Sequence, residues 1–145
     1  MRFFAVLGFL VCVVISACTS PVTPVKSSEE LLAGTTSKTW VLTSLIDTDG
    51  RDITSSYSSW KIQFRRDGSL TQTVIISSLP TSQAANGTWK LVDKKLTITI
   101  QTGSPGQSTS TSEVIVNELT ETSLKISEAA TTSKAKYMIL ELANY

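Results

Sequence analysis

The chain has 145 residues, a length that indicates one folded domain. Its 13 lysine and arginine residues nearly balance 12 aspartate and glutamate residues, which argues against nucleic-acid binding because that function needs a basic face. The sequence contains no histidine, which excludes serine–histidine–aspartate and cysteine–histidine catalysis and removes the usual zinc and copper ligand sets.

The first 17 residues have the pattern of an export signal. Arg2 supplies one positive charge, an unbroken apolar run extends from Phe3 to Ile15, and the small residues Ser16 and Ala17 follow. The run is shorter than the roughly 20 residues that a membrane-spanning helix needs. We therefore predict a removable signal peptide over residues 1–17, with a retained transmembrane helix as the weaker alternative.

The end of this signal resembles the lipobox of bacterial lipoproteins, in which an aliphatic residue and two small residues precede a cysteine. The matching residues are Ile15-Ser16-Ala17-Cys18. The resemblance implies that the leader is cut before Cys18 and that the Cys18 thiol carries a lipid whose acyl chains, such as palmitate, hold the protein at a membrane. Cys12 is a poor rival because it lies within the apolar run. An ordinary secreted protein with an incidental cysteine is the alternative.

Residues 18–28 are predicted to form a lipidated tether, because Pro21 and Pro24 disfavour a helix and the serines and threonines keep the segment solvated. A short helix is predicted over residues 29–33, with Ser28 as its N-terminal cap and Gly34 at its end. The two glutamates of its first turn suit the helix dipole, so we interpret them as helix-starting residues rather than as a catalytic pair.

From Ser37 onward, apolar and polar residues alternate as they do in strands with one buried face, for example in Trp60-Lys61-Ile62-Gln63-Phe64. No helix of ordinary length separates the strands, so parallel crossover units are excluded. Eight sequential antiparallel strands predict an all-β, up-and-down barrel, since closure leaves no exposed edge. The predicted strands are 38–47, 58–66, 69–77, 87–92, 95–102, 112–119, 122–128 and 135–143.

The connections between the strands follow from local chemistry. Tight turns are predicted at residues 66–69, where Gly68 can adopt a positive φ, at Asp93-Lys94 and at Glu121-Thr122. The apolar residues of Val114–Leu119 do not all fall on alternate positions, as one buried strand face would require, and this predicts a bulge or a strand end. Residues 48–58, 78–86 and 103–111 are rich in small polar residues and are predicted to form longer loops.

The order of several short motifs is similar to that in the lipocalin-like lipoproteins of Bacteroidota. The resemblance covers about residues 31–143 and implies a lipocalin-like barrel at residues 29–145, after the signal peptide at 1–17 and the tether at 18–28. The motifs are Leu32-x-Gly34 followed by Trp40, Phe64 followed by Asp67-Gly68, Gly87-Thr88-Trp89, and Leu119-Thr120 followed by Leu124.

Trp40, Trp60 and Trp89 are candidate ligand-binding residues, because tryptophan on an inward strand face can form a platform for a sugar or lipid; core packing is the alternative.

Asp47, Asp49 and Asp52 surround a glycine and could hold calcium, but we prefer a strand-connecting turn because Arg51 would repel the ion. We expect no catalytic residue, metal or cofactor.

Two functions are compatible with the sequence. The first is an outer-membrane lipoprotein whose barrel binds a small apolar or amphipathic ligand; the second is a structural or interaction lipoprotein whose filled barrel contacts an envelope partner. Thr19, rather than an aspartate, follows Cys18, which favours the outer over the inner membrane by analogy with other Gram-negative bacteria. The oligomeric state stays open at this point.

Overall fold

The computed structural model describes residues 24–78, 82–102, 108–128 and 139–144. The predicted signal peptide, Cys18 and residues 135–138 of the predicted last strand lie outside the described residues. Within the described ranges, no helix has the length and apolar character that crossing a membrane requires.

The described residues form eight antiparallel strands that pair in chain order and close into a barrel. The last strand returns to pair with the first, so both have a neighbour on each side. This confirms the predicted up-and-down barrel. The strands are β1 Ser37–Ile46, β2 Tyr57–Arg65, β3 Ser69–Ile76, β4 Gln83–Val92, β5 Lys95–Thr102, β6 Ser108–Leu119, β7 Ser123–Glu128 and β8 Ile139–Asn144.

β4 and β6 each begin four residues earlier than the alternation predicts, and the predicted loops 78–86 and 103–111 are correspondingly too long. β4 begins at Gln83 instead of residue 87, and β6 begins at Ser108 instead of residue 112. Residues 83–86 pair with β3, and residues 108–111 pair with β5. Small and polar side chains hide both extensions from an analysis of hydrophobic pattern, because backbone pairing needs no apolar side chain.

The tight connections form as predicted. Gly68 has a φ of 84° in the β2–β3 turn, and Asp93 has a φ of 55° between β4 and β5. The Asp67 carboxylate supports the first turn by accepting hydrogen bonds from the backbone N–H and the hydroxyl of Ser69. The pairing of β6 with β7 shifts register between Val116 and Glu118, which confirms the predicted bulge.

A short helix, α1 (Ser28–Ala33), lies against one end of the barrel. Its N-cap is Ser27 and not Ser28 as predicted, because the Ser27 hydroxyl accepts the hydrogen bond from the backbone N–H of Glu30 and the helix therefore starts one residue earlier. Gly34 ends the helix as predicted, with a φ of 67°. Leu32 and Ala33 are fully buried, so α1 closes this end.

The barrel has two unlike ends. The closed end consists of α1 and the turns β2–β3, β4–β5 and β6–β7, and the mouth is the opposite end, where residues 47–56 connect β1 to β2. A one-turn 3-10 helix at Thr54–Ser56 lies within that connection. The largest fully buried side chains are those of Leu32, Trp40, Leu45, Phe64, Leu70, Leu96 and Leu124. Most of them belong to the closed half, which is therefore filled by side chains.

Candidate functional site

Two empty spaces lie inside the barrel between its mouth and its packed closed end, and both are lined by Trp60 and Gln72. The mouth pocket has a volume of about 260 Å³, and its other lining residues are Tyr57, Val74, Gln83, Ala85 and Ile100. The inner cavity is smaller, at about 50 Å³, and its other lining residues are Ile62, Phe64, Ile98, Leu124 and Ile126. Together they form the candidate ligand site.

The sequence leaves this space because small side chains occupy inward positions near the mouth. On β6, Ser110 and Ser112 share the strand face of Val114, which packs against the core, and they pair with Ile100 and Ile98 of β5. Ala85 of β4 likewise lines the mouth pocket with a single methyl group. At inward positions of the closed half the described strands carry larger side chains, such as those of Trp40, Phe64 and Leu96, and these are fully buried.

Of the three candidate tryptophans, Trp60 lines the two spaces, whereas Trp40 and Trp89 line neither. The Trp40 indole N–H donates to the backbone oxygen of Leu32 at 2.8 Å, and the Trp89 indole N–H donates to that of Arg65 at 2.9 Å. These contacts match the alternative interpretation of Trp40 and Trp89 as core residues.

Aromatic surface is available at the mouth. The rings of Tyr57 and Trp60 lie with their centroids 5.5 Å apart at an angle of 36°. Both side chains are partly exposed. Unlike the other two tryptophans, Trp60 donates no indole hydrogen bond to any group in the part of the chain that the structure describes. A flat ligand would find an apolar face and a free donor at this residue.

Gln72 is a site residue that the sequence reasoning missed. It lies opposite Ile62 in the β2–β3 pairing, on the inward face of β3 that also carries Leu70 and Val74. Within the described ranges its carboxamide has no hydrogen-bond partner in the protein, and it is accessible to solvent. The signal was present in the sequence, because Gln72 stands between Leu70 and Val74 in the series of alternate positions that are otherwise apolar.

The aspartates near the mouth form a turn. The Asp47 carboxylate accepts hydrogen bonds from the backbone N–H groups of Arg51 (2.9 Å) and Asp49 (2.8 Å). The hydrogen bond from Arg51 is the main reason why the pKa of Asp47 is lowered. Arg51 also donates to the Asp49 carboxylate at 2.6 Å. The Asp52 carboxylate accepts from the Thr54 backbone, and hydrogen bonding to Thr54 lowers its pKa. The described residues contain no cluster of three such ligands that could hold a metal.

A larger polar groove of about 410 Å³ lies at the closed end. Three of its charged residues contact one another: the Lys26 ammonium lies 2.6 Å from the Glu121 carboxylate, and Lys38 donates to the backbone oxygens of Leu31 and Glu121. Burial lowers the pKa of Lys38, and the nearby Glu121 carboxylate opposes that effect. These contacts hold the β6–β7 turn against β1 and α1, so the mouth pocket is the better candidate site despite its smaller volume.

The comparison with known families agrees with this architecture. Residues 36–126 match the family model of the lipocalin-like domain. The chain belongs to the lipocalin-like domain family. The lipocalin-like domain that the order of the motifs implied is thereby confirmed.

Two solved structures are similar to the chain. A lipocalin-like protein from Bacteroides uniformis has a TM-score of 0.53 at 14% identity, over 79% of this chain and 99% of that one. An uncharacterized protein from Bacteroides eggerthii has a TM-score of 0.51 at 17% identity, over 74% of this chain and 97% of that one. At these identities the likeness shows the fold alone. No curated protein matches the chain.

Proposed function

We propose that this lipocalin-like protein is a lipid-anchored protein of the outer membrane that binds a small amphipathic molecule in its mouth pocket and catalyses no reaction. The observation that carries the proposal is the contrast between a packed closed half and an open space of about 260 Å³ beside Trp60. Ligand pockets usually measure about 300–1,000 Å³. The ligand is therefore small.

The distribution of apolar surface favours ligand binding over the alternative of a filled barrel that contacts an envelope partner. Among the described residues, the exposed large hydrophobic side chains are those of Val25 and Val92. Val25 precedes α1, whereas Val92 ends β4. A partner interface of the apolar kind needs a contiguous patch, and isolated valines do not provide one.

The lipid anchor is supported by the lipobox-like residues Ile15–Cys18. Cys18 precedes the start of α1 at Ser28 by ten residues, which span at most about 36 Å when extended. Because α1 and Lys26 contact the closed end, a lipid on Cys18 would hold that end toward the membrane. The mouth would then face the aqueous compartment, where the ligand would be exchanged.

Replacement of the lipidated cysteine tests the anchor. In cells of the native host, the full-length Cys18→Ala variant should move from the membrane pellet to the soluble fraction after lysis and ultracentrifugation. The matched control is Cys12→Ala, which should stay in the pellet because residue 12 belongs to the predicted leader. Unchanged pelleting of Cys18→Ala would refute the anchor.

Native mass spectrometry tests the binding function. All residues described as buried lie between Leu32 and Ser127, so a chain from Thr19 to Tyr145 keeps the helix, the barrel and their core. When this chain is exported and purified from its own host, we expect a second mass peak that corresponds to a bound small molecule. Repeated recovery of bare protein would contradict the proposal.

A further inference from the structure

We infer that the ligand of the mouth pocket is an uncharged molecule with an apolar body and one hydrogen-bonding group, and that Gln72 is the residue that recognises this group. The inference rests on the proposed binding function and adds the chemical class of the ligand. It depends on the position of Gln72 and on the charges around the two spaces.

Gln72 lies where the mouth pocket meets the inner cavity, since it lines both. In the β2–β3 pairing Gln72 is opposite Ile62, and Trp60 is opposite Val74, so Gln72 and Trp60 are diagonal neighbours on the inward face. A molecule lying against the Trp60 ring is therefore within reach of the Gln72 side chain.

The carboxamide of Gln72 is surrounded mainly by apolar side chains and has no hydrogen-bond partner among the described residues. A polar group that loses water without gaining a partner costs free energy. An apolar ligand would impose that cost on Gln72 by displacing water. A ligand with a hydroxyl, carbonyl or amide would avoid it, because the carboxamide both donates and accepts hydrogen bonds.

The electrostatics favour a neutral ligand. No described residue that lines either space is charged, so an anion would be desolvated there without a compensating cation. Glu128 ends β7 on the same strand face as Ile126, which lines the inner cavity. Its negative charge at the mouth end would repel an anion further. A fatty-acid carboxylate is therefore a poor fit.

Three probes with the same ring system test the inference: naphthalene, 2-naphthol and 2-naphthoate. Their binding to the Thr19–Tyr145 chain is measured by isothermal titration calorimetry at neutral pH. We expect 2-naphthol to bind roughly three- to tenfold more tightly than naphthalene, as one added hydrogen bond predicts. We expect 2-naphthoate to bind at least about tenfold more weakly than 2-naphthol.

Two matched variants assign the preference to Gln72. Gln72→Leu replaces the amide by an apolar group of similar size and should abolish the preference for 2-naphthol over naphthalene. Gln101→Leu makes the same change at an exposed position of β5 and should retain that preference. Circular dichroism confirms that both variants fold.

The outcomes separate the inference from the proposed function. Failure of all three probes to bind would overturn the proposed function and the inference together. If 2-naphthoate bound as tightly as 2-naphthol, or if the Gln72→Leu variant still preferred 2-naphthol over naphthalene, the inference would be overturned while ligand binding would stand.

Discussion

The indole N–H of Trp40 donates a 2.8 Å hydrogen bond to the backbone oxygen of Leu32, which joins the first strand of the barrel to the last turn of α1. Both residues are fully buried. The last carbonyls of a helix have no partner within the helix, so the indole satisfies a group that burial would otherwise leave unpaired. This contact helps to close one end of the barrel and leaves the other end for a ligand.

Truncation of Leu32 tests this closure. Leu32→Ala should lower the free energy of unfolding by about 2–5 kcal/mol, because it leaves a cavity between α1 and the barrel. The measurement is urea unfolding followed by circular dichroism. Val25→Ala, at a residue 96% exposed, is the control and should change stability by less than about 0.5 kcal/mol. Equal stability of the two variants would show that α1 is not part of the core.

A second stability test concerns the close approach of β4 and β5 at Gly87. A Cβ atom at this position would lie 2.0 Å from the backbone oxygen of Thr99, so Gly87→Ala requires the paired strands to shift. We expect a loss of about 1–3 kcal/mol or more in urea unfolding. Thr88→Ala, at the next residue on the exposed face, should cost less. A Gly87→Ala variant as stable as wild type would contradict the described pairing.

Acid stability depends in part on Asp67 in the β2–β3 turn. Hydrogen bonds from the hydroxyl and the backbone N–H of Ser69 lower the pKa of Asp67 below its usual value. The ionised carboxylate therefore stabilises the fold above the pKa of the unfolded chain, about 3.9, and this contribution is lost as the pH falls through the lower pKa of the folded state.

The corresponding variants are Asp67→Asn and Ser69→Ala. The free energy of unfolding of the wild type should fall as the pH drops below about 4, and Asp67→Asn should show a smaller fall because it has no carboxylate to protonate. Ser69→Ala should lie between the two, since one hydrogen bond to the carboxylate remains. Urea unfolding at a series of pH values measures this, and identical pH dependence in all three proteins would refute the assignment.

Filling the mouth pocket should block binding without a change in charge. Ala85 lines the pocket and Ala84, its neighbour on β4, is exposed on the opposite face. Ala85→Leu should weaken 2-naphthol binding at least about tenfold in calorimetry, whereas Ala84→Leu should not. If both variants weakened 2-naphthol binding equally, or if neither weakened it, the ligand would lie elsewhere.

Much of the fold could be predicted from the sequence because alternation and turn chemistry are local signals. Trp60-Lys61-Ile62 identifies a strand, and Asp67-Gly68 identifies the turn after it. The starts of β4 and β6 could not be predicted this way, because residues 83–86 and 108–111 pair through their backbones and contain no apolar pattern.

The site was only partly predictable. Inward-facing strand positions are occupied by all three tryptophans, Trp40, Trp60 and Trp89. They differ in their height along the barrel axis. That height depends on strand register and tilt, which a sequence does not reveal. Gln72 could have been found, because it is a polar residue at an inward position of β3, but its lack of a partner becomes visible only in three dimensions.

The most direct test of ligand binding at Trp60 is a two-dimensional ¹H–¹⁵N spectrum of the indole N–H groups of the Thr19–Tyr145 chain during titration with 2-naphthol. Trp60→Phe assigns the Trp60 signal. We predict that this signal shifts on binding while those of Trp40 and Trp89, whose indoles donate to backbone oxygens in the closed half, stay nearly fixed. A stationary Trp60 signal at concentrations where calorimetry shows saturation would contradict the account.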